Sequence, residues 1–155
     1  MNTIPSIILP IIDHDTIYDE DISKLFKNKK VILFGVPGAY TPTCSEQHLP
    51  GFLELNNQIK TKNVDDIYCM SVNDKYVMKA WLSSYASGHK IKGIADGNSD
   101  LSKLLDVIVD KTSSFMGQRC LRFSMIIIDN VIKNFFVEDT EVLNNTSAEN
   151  ILKYI

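Results

Sequence analysis

Cys44 closes the string Pro37-Gly38-Ala39-Tyr40-Thr41-Pro42-Thr43-Cys44, which follows directly on a continuous apolar run, Val31-Ile32-Leu33-Phe34-Gly35-Val36. Such a run reads as a strand buried on both faces, and strand ends that feed helix N-termini are where α/β folds present reactive groups. The segment from Ser45 onward is helix-like, so Cys44 falls in a first helical turn. There it faces unpaired backbone N–H groups and the positive end of the helix dipole, both of which favour the nucleophilic thiolate. Thr41, three residues earlier, carries a hydroxyl that can donate and accept, and so can hold a ligand shared with the sulfur. Pro37 and Pro42 restrict the backbone and keep that geometry ready before a substrate arrives. The competing reading of a single cysteine at a helix start is a small packing residue.

Three further groups bear on the chemistry. His48 lies at i+4 from Cys44 and shares its helix face. It can raise the thiolate content, act as general base in a Cys–His hydrolase, or ligate a metal with Cys44. Nothing in the sequence suggests an oxyanion hole, and two ligands without a second pair rarely make a metal site. The chain has 14 lysines and only two arginines, Arg119 and Arg122, so a planar, permanently charged fork is wanted within one short stretch. A surface pair with a salt bridge is the alternative. Cys44, Cys69 and Cys120 form an odd set without C-x-x-C, which fits a reducing compartment better than a secreted disulfide framework.

The elements that must position these residues follow in order. At 155 residues, 45% apolar and 23% charged with net charge −3, the chain reads as one domain over 1–155, without the basic stripe of a nucleic-acid binder. Met1 to Pro10 is apolar, but it lacks a basic start and is too short to span a bilayer, so it reads as an N-terminal strand region. No membrane partner is expected, and the compartment read from this is the cytoplasm, or an organelle after removal of a presequence. Ser45 to Lys62 is helix-like with a break expected at Pro50-Gly51, and Asp66 to Val72 is a second buried strand. Asn73 or Asp74 caps a helix carrying Val77, Ala80, Trp81 and Tyr85 that Gly88 ends. Ile91 to Ala95 is a short strand, and Leu101, Leu104, Leu105 and Ile108 form a helical stripe opened by Asn98-Ser99-Asp100. Phe123–Ile128 and Val131–Phe136 flank Asp129-Asn130 as a tight hairpin, and Thr146-Ser147-Ala148-Glu149 matches a capping box for a last helix. This order is that of a thioredoxin-like α/β fold, a central mixed sheet flanked by helices.

Pro37-x-x-x-Thr41-x-x-Cys44 is the signature spacing of peroxiredoxins. Val36 through Ser45 with His48-Leu49-Pro50-Gly51-Phe52 closely resembles their atypical, type-five or type-II branch. Ser71-Val72-Asn73-Asp74, Ala80-Trp81, Ala95-Asp96-Gly97 and Arg122-Phe123-Ser124-Met125 look like that branch in the same order, so the likeness runs from about Pro5 to Leu152. The resemblance implies that Cys44 is a peroxidatic cysteine oxidised to sulfenic acid by hydrogen peroxide or an alkyl hydroperoxide. Pro37 would shield the pocket, Thr41 and Arg122 would hold thiolate and peroxide, and His48 and Arg119 would support them. It implies no cofactor and no metal, and a homodimer with its contact beside the active site. Animal-type relatives carry a resolving cysteine just before the last helix, where this chain has Asn144-Asn145-Thr146-Ser147. Cys69 lies where plant-type relatives carry theirs, but mid-strand, as a small buried hydrophobe would. The favoured expectation is therefore a one-cysteine cycle reduced by glutathione with glutaredoxin or by thioredoxin. A plant-like two-cysteine cycle through Cys69 is the runner-up. A redox-sensing or chaperone-like thioredoxin-fold module is the reading of a different class.

Overall fold

The computed structural model describes residues 2–138 and 142–155. In chain order the strands are β1 (Ile8–Asp13), β2 (Thr16–Asp21), β3 (Lys30–Gly35), β4 (Asp66–Ser71) and β5 (Lys92–Ala95). A short pair, β6 (Ile108–Asp110) and β7 (Gln118–Cys120), then precedes the hairpin of β8 (Arg122–Ile128) and β9 (Val131–Glu138). Side chains of β3 alternate between two cores, Ile32 and Phe34 into one and Val31 and Leu33 into the other, all fully buried. That double burial is why the run shows no polar alternation. β3, β4 and β5 are parallel in succession, whereas β1, β2, β8 and β9 join antiparallel. Among the described residues the strand order is β2-β1-β5-β4-β3-β8-β9.

The helices are α1 (Ile22–Leu25), α2 (Leu49–Glu54), α3 (Asn56–Lys60), α4 (Lys75–Ser83), α5 (Asp100–Leu104) and α6 (Ala148–Leu152). Phe52, Ile59, Trp81 and Ile151 bring α2, α3, α4 and α6 onto the Phe34 side, and Ile22 and Leu101 bring α1 and α5 onto the other. The sheet is thus mixed and covered on both faces, as the thioredoxin-like reading requires. The Asp129-Asn130 turn takes left-handed dihedrals at both residues, φ 47° and 65°, which suits the twist of a two-residue hairpin. Among the described residues no helix is long and apolar enough to cross a membrane.

Four local expectations need correction. The helix after Cys44 does not break at Pro50-Gly51. Cys44–His48 is a π-helical turn, α2 runs through both residues, and the break comes at Leu55. Pro50 is tolerated because it stands in the first turn of α2, where a missing N–H costs least. Gly88 does not end α4, which stops a turn earlier. It sits where a Cβ would lie 1.7 Å from the Leu82 carbonyl oxygen, so the close approach of that carbonyl is what needs glycine. The Leu101-to-Ile108 stripe is not one helix. Left-handed Asp106 (φ 57°) follows the end of α5, Leu104 is 44% exposed, and Ile108 belongs to β6. The last helix is capped by Ser147, which accepts from the Asn150 amide, and not by Thr146.

Candidate active site

The segment that leaves β3 is held before it reaches Cys44. The Val36 amide donates to the Met70 carbonyl (2.9 Å), the Ala39 amide to Asn73 Oδ1 (3.0 Å), and Tyr40 takes a left-handed φ of 66°. Thr41 then turns the chain inward: its hydroxyl donates to the Gly38 carbonyl at 2.6 Å, and its own carbonyl accepts from the Ser45 amide at 2.9 Å. The π turn that follows is clamped from α4 and the residues just beyond it. Trp81 Nε1 donates to Ser45 Oγ (3.0 Å) and the Tyr85 hydroxyl to the Ser45 carbonyl (2.6 Å). Neither tether is suggested by the periodicity that marks Trp81 and Tyr85 as core residues.

Cys44 is 1% exposed, and its sulfur accepts a hydrogen bond from Arg122 Nη2 at 3.3 Å. The same guanidinium donates through Nη1 to His48 Nδ1 at 2.9 Å, and His48 Nε2 lies 3.0 Å from the Thr146 carbonyl. Burial, and then the adjacent Arg122 charge, push His48 down to about 3, so the ring is neutral at physiological pH. A carbonyl only accepts and a guanidinium only donates, which assigns the proton to Nε2 and the lone pair to Nδ1. Buried Arg122 Nε has no hydrogen-bond partner among the described residues. A hollow of about 180 Å³ opens over this group, lined by Pro37, Thr41, Pro42, Thr43, Met116 and Arg122 among others. Two roomier hollows, of about 220 and 370 Å³, have neither cysteine nor arginine in their described linings.

Among the described residues Arg119 does not form the surface salt bridge that composition allows. It joins two loops at the pocket, with Nε donating to the Met116 carbonyl (2.9 Å) and Nη1 to the Pro37 carbonyl (3.4 Å). A Cβ at Gly38 would come within 2.8 Å of that Nη1, so the glycine makes room for the arginine. The six residues expected at the site, Pro37, Thr41, Cys44, His48, Arg119 and Arg122, are therefore brought together. Cys69 is wholly buried in β4, with its thiol pushed well up by burial. Cys120 is equally buried, donates to the Val36 carbonyl (3.1 Å), and is likewise pushed up by burial. All three cysteines are free thiols. Among the described residues no three His, Cys, Asp or Glu side chains converge as metal ligands.

Comparison with known proteins bears on this constellation directly. The Redoxin family profile matches residues 2–152. Peroxiredoxin-2B of Arabidopsis thaliana is 41% identical over 141 residues, covering 91% of this chain and 87% of the relative. The crystal structure of reduced Prx3 in complex with H2O2 from Vibrio vulnificus superposes with a TM-score of 0.92 at 39% identity, over 98% of this chain and 95% of that one. The Plasmodium falciparum antioxidant protein, described as a 1-Cys peroxiredoxin, superposes with a TM-score of 0.89 at 36% identity, over 99% and 96%.

Proposed function

Because the chain belongs to the Redoxin family, and within it to the peroxiredoxins, we propose that Cys44 is the thiol that attacks the peroxide. The observation that carries the assignment is the Arg122 Nη2 to Cys44 Sγ contact of 3.3 Å beneath the hollow lined by Pro37 and Thr41. It sets a fixed positive charge beside the nucleophile. Cys44 gives its proton to solvent, and the thiolate sulfur forms a bond to the terminal oxygen of the hydroperoxide as the O–O bond breaks. That oxygen keeps its hydrogen as Cys44 sulfenic acid, and the departing alkoxide or hydroxide takes a proton from solvent and leaves as alcohol or water. Thr41 spends its proton on the Gly38 carbonyl, so its oxygen is the acceptor for the peroxide O–H. Arg122 Nε, with no partner among the described residues, is the donor for a peroxide oxygen. Pro37 shields the pocket, and Arg119 keeps its rim in place.

The sulfenic acid is reduced by an outside thiol, glutathione with glutaredoxin or thioredoxin, in a one-cysteine cycle. One thiol displaces water to give a mixed disulfide on Cys44, and a second releases the Cys44 thiol and a low-molecular-weight or protein disulfide. The burial of Cys69 in mid-strand, with its thiol pushed up, supports this reading. The two-cysteine reading has one observation in its favour: Cys44 and Cys69 belong to the same core cluster. Exposed Tyr40 (57%) and Phe115 (97%), next to pocket residues on both rims, support a homodimer contact beside the site. The test of the central assignment is stopped-flow consumption of hydrogen peroxide. Cys44→Ser, with an unchanged circular dichroism spectrum, is expected to lose the reaction, since a hydroxyl supplies no comparable nucleophile at neutral pH. Substantial turnover in that variant would refute it.

A further inference from the structure

Arg122 is buried, yet none of the ion pairs among the described residues includes it. Among the described residues, the hydrogen-bond partners of its guanidinium are the His48 ring and the Cys44 sulfur. Its Cα partner across the hairpin is Glu138, but none of those ion pairs joins the two, and the carboxylate has other partners. Oε2 of Glu138 accepts from the Asn144 amide (2.5 Å), the Thr146 amide (3.2 Å) and the Thr146 hydroxyl (3.0 Å). Thr146, pinned in this way, presents its carbonyl to His48 Nε2 (3.0 Å) and to the Ser124 hydroxyl (2.5 Å). His48 turns the opposite edge of its ring to Arg122, and Arg122 reaches Cys44. Every member is buried: Glu138 is 7% exposed, Arg122 3%, and Ser124, Thr146 and His48 not at all.

We propose that Glu138, Thr146 and His48 form a positioning chain that aims the Arg122 guanidinium at the Cys44 sulfur. The segment before α6 thereby sets the geometry of peroxide reduction. The proposal rests on the peroxidatic role of Cys44 and adds the residues that make Arg122 effective. Its physical content is directional. Thr146 offers only an acceptor, so His48 must donate from Nε2; the Nδ1 lone pair is then free for Arg122, and Nη2 is left pointing at sulfur. Were His48 to carry its proton on Nδ1, that N–H would face the Arg122 N–H, and the guanidinium would have to swing away.

Two readouts test this separately. In the reduced full-length protein, ¹⁵N NMR of the imidazoles is expected to show His48 protonated at Nε2 and not at Nδ1. Glu138→Ala is expected to turn that signal into a mixture of tautomers. In stopped-flow kinetics with hydrogen peroxide, His48→Leu and Glu138→Ala are expected to lower the second-order rate constant by on the order of 10- to 100-fold, the range for a misplaced catalytic group. His48→Gln, whose amide both donates and accepts, is expected to recover most of that loss. Folded His48→Leu with the wild-type rate, or an Nδ1–H tautomer in the wild type, overturns the chain; the NMR arm decides even where a variant fails to fold. Wild-type protein that consumes no peroxide would instead refute the peroxidatic role of Cys44, leaving the tautomer to report on the chain alone.

Discussion

At Arg122 a single side chain bridges two partners, with Nη1 on His48 at 2.9 Å and Nη2 on Cys44 at 3.3 Å. A lysine keeps the charge but offers one point from which both cannot be reached together. Arg122→Lys is therefore expected to lower the rate constant for peroxide by on the order of 10- to 100-fold, as for a misplaced catalytic group. Arg119→Lys is expected to be milder, because its donors hold carbonyls and not the sulfur. Both lysine variants matching wild type would make the arginines structural. His48 carries a prediction about stability. Its folded value of about 3 lies below the usual 6.5, so below pH 6.5 the unfolded chain takes up a proton that the folded one refuses. The contribution is neutral above pH 6.5 and costs stability as pH falls from there toward 3. Between pH 7 and 5 that linkage amounts to about 2 kcal/mol. Urea titrations at both pH values are expected to show His48→Gln losing less stability than wild type by that margin. An equal loss in both proteins would contradict the buried, neutral ring. Cys44, Thr41 and Pro37 are legible in the sequence because they sit in one contiguous string, and Arg122 because arginine is so scarce. Glu138, Ser124 and Thr146 are not: what reaches His48 is a main-chain carbonyl, and no residue type announces that.

Between the residues and the sheet, the element that decides accessibility is the π turn Cys44–His48. Cys44 is 1% exposed, so an outside thiol can reach its sulfenic acid only if this turn loosens. The Tyr85 hydroxyl and the Trp81 indole tie the turn down at Ser45. Removing one such bond costs on the order of 1 kcal/mol. Tyr85→Phe is accordingly expected to speed hydrogen exchange in residues 42–48 severalfold, with strand β4 unchanged. Exchange at the wild-type rate would show that the Tyr85 hydroxyl does not hold the turn. Buried strands and the Asp129-Asn130 hairpin can be read from apolar runs and turn chemistry, since each depends on its own residues. The path of α2 cannot, because the widened turn ahead of Pro50 answers to tertiary packing around Phe34, His48 and Phe52. β2 is hidden in the sequence for a similar reason: Thr16-Ile17-Tyr18-Asp19-Glu20-Asp21 is too acidic to look like a strand, and it forms by pairing along β1.

For the molecule as a whole, the mixed sheet gathers residues from both ends of the chain around one sulfur: the strand end at Pro37, the π turn, β8, and the segment before α6. Tyr40 and Phe115 extend that region outward as exposed aromatic surface. A second copy packed there would cover both and screen the pocket rim. Sedimentation at micromolar concentration is expected to show a dimer that Phe115→Glu dissociates; a wild-type monomer would exclude this arrangement. Neither result bears on which thiol is oxidised, and the most direct measurement there is the fate of each cysteine after one equivalent of hydrogen peroxide. Reduced protein would be treated in the presence of dimedone, its remaining thiols blocked, and its peptides resolved by mass spectrometry. The predicted result is dimedone on Cys44 alone, with Cys69 and Cys120 recovered as blocked thiols and the label absent from Cys44→Ser. Label on Cys69 or Cys120 would contradict the assignment of Cys44. A quantitative Cys44–Cys69 disulfide, with turnover lost in Cys69→Ala, would contradict the one-cysteine cycle.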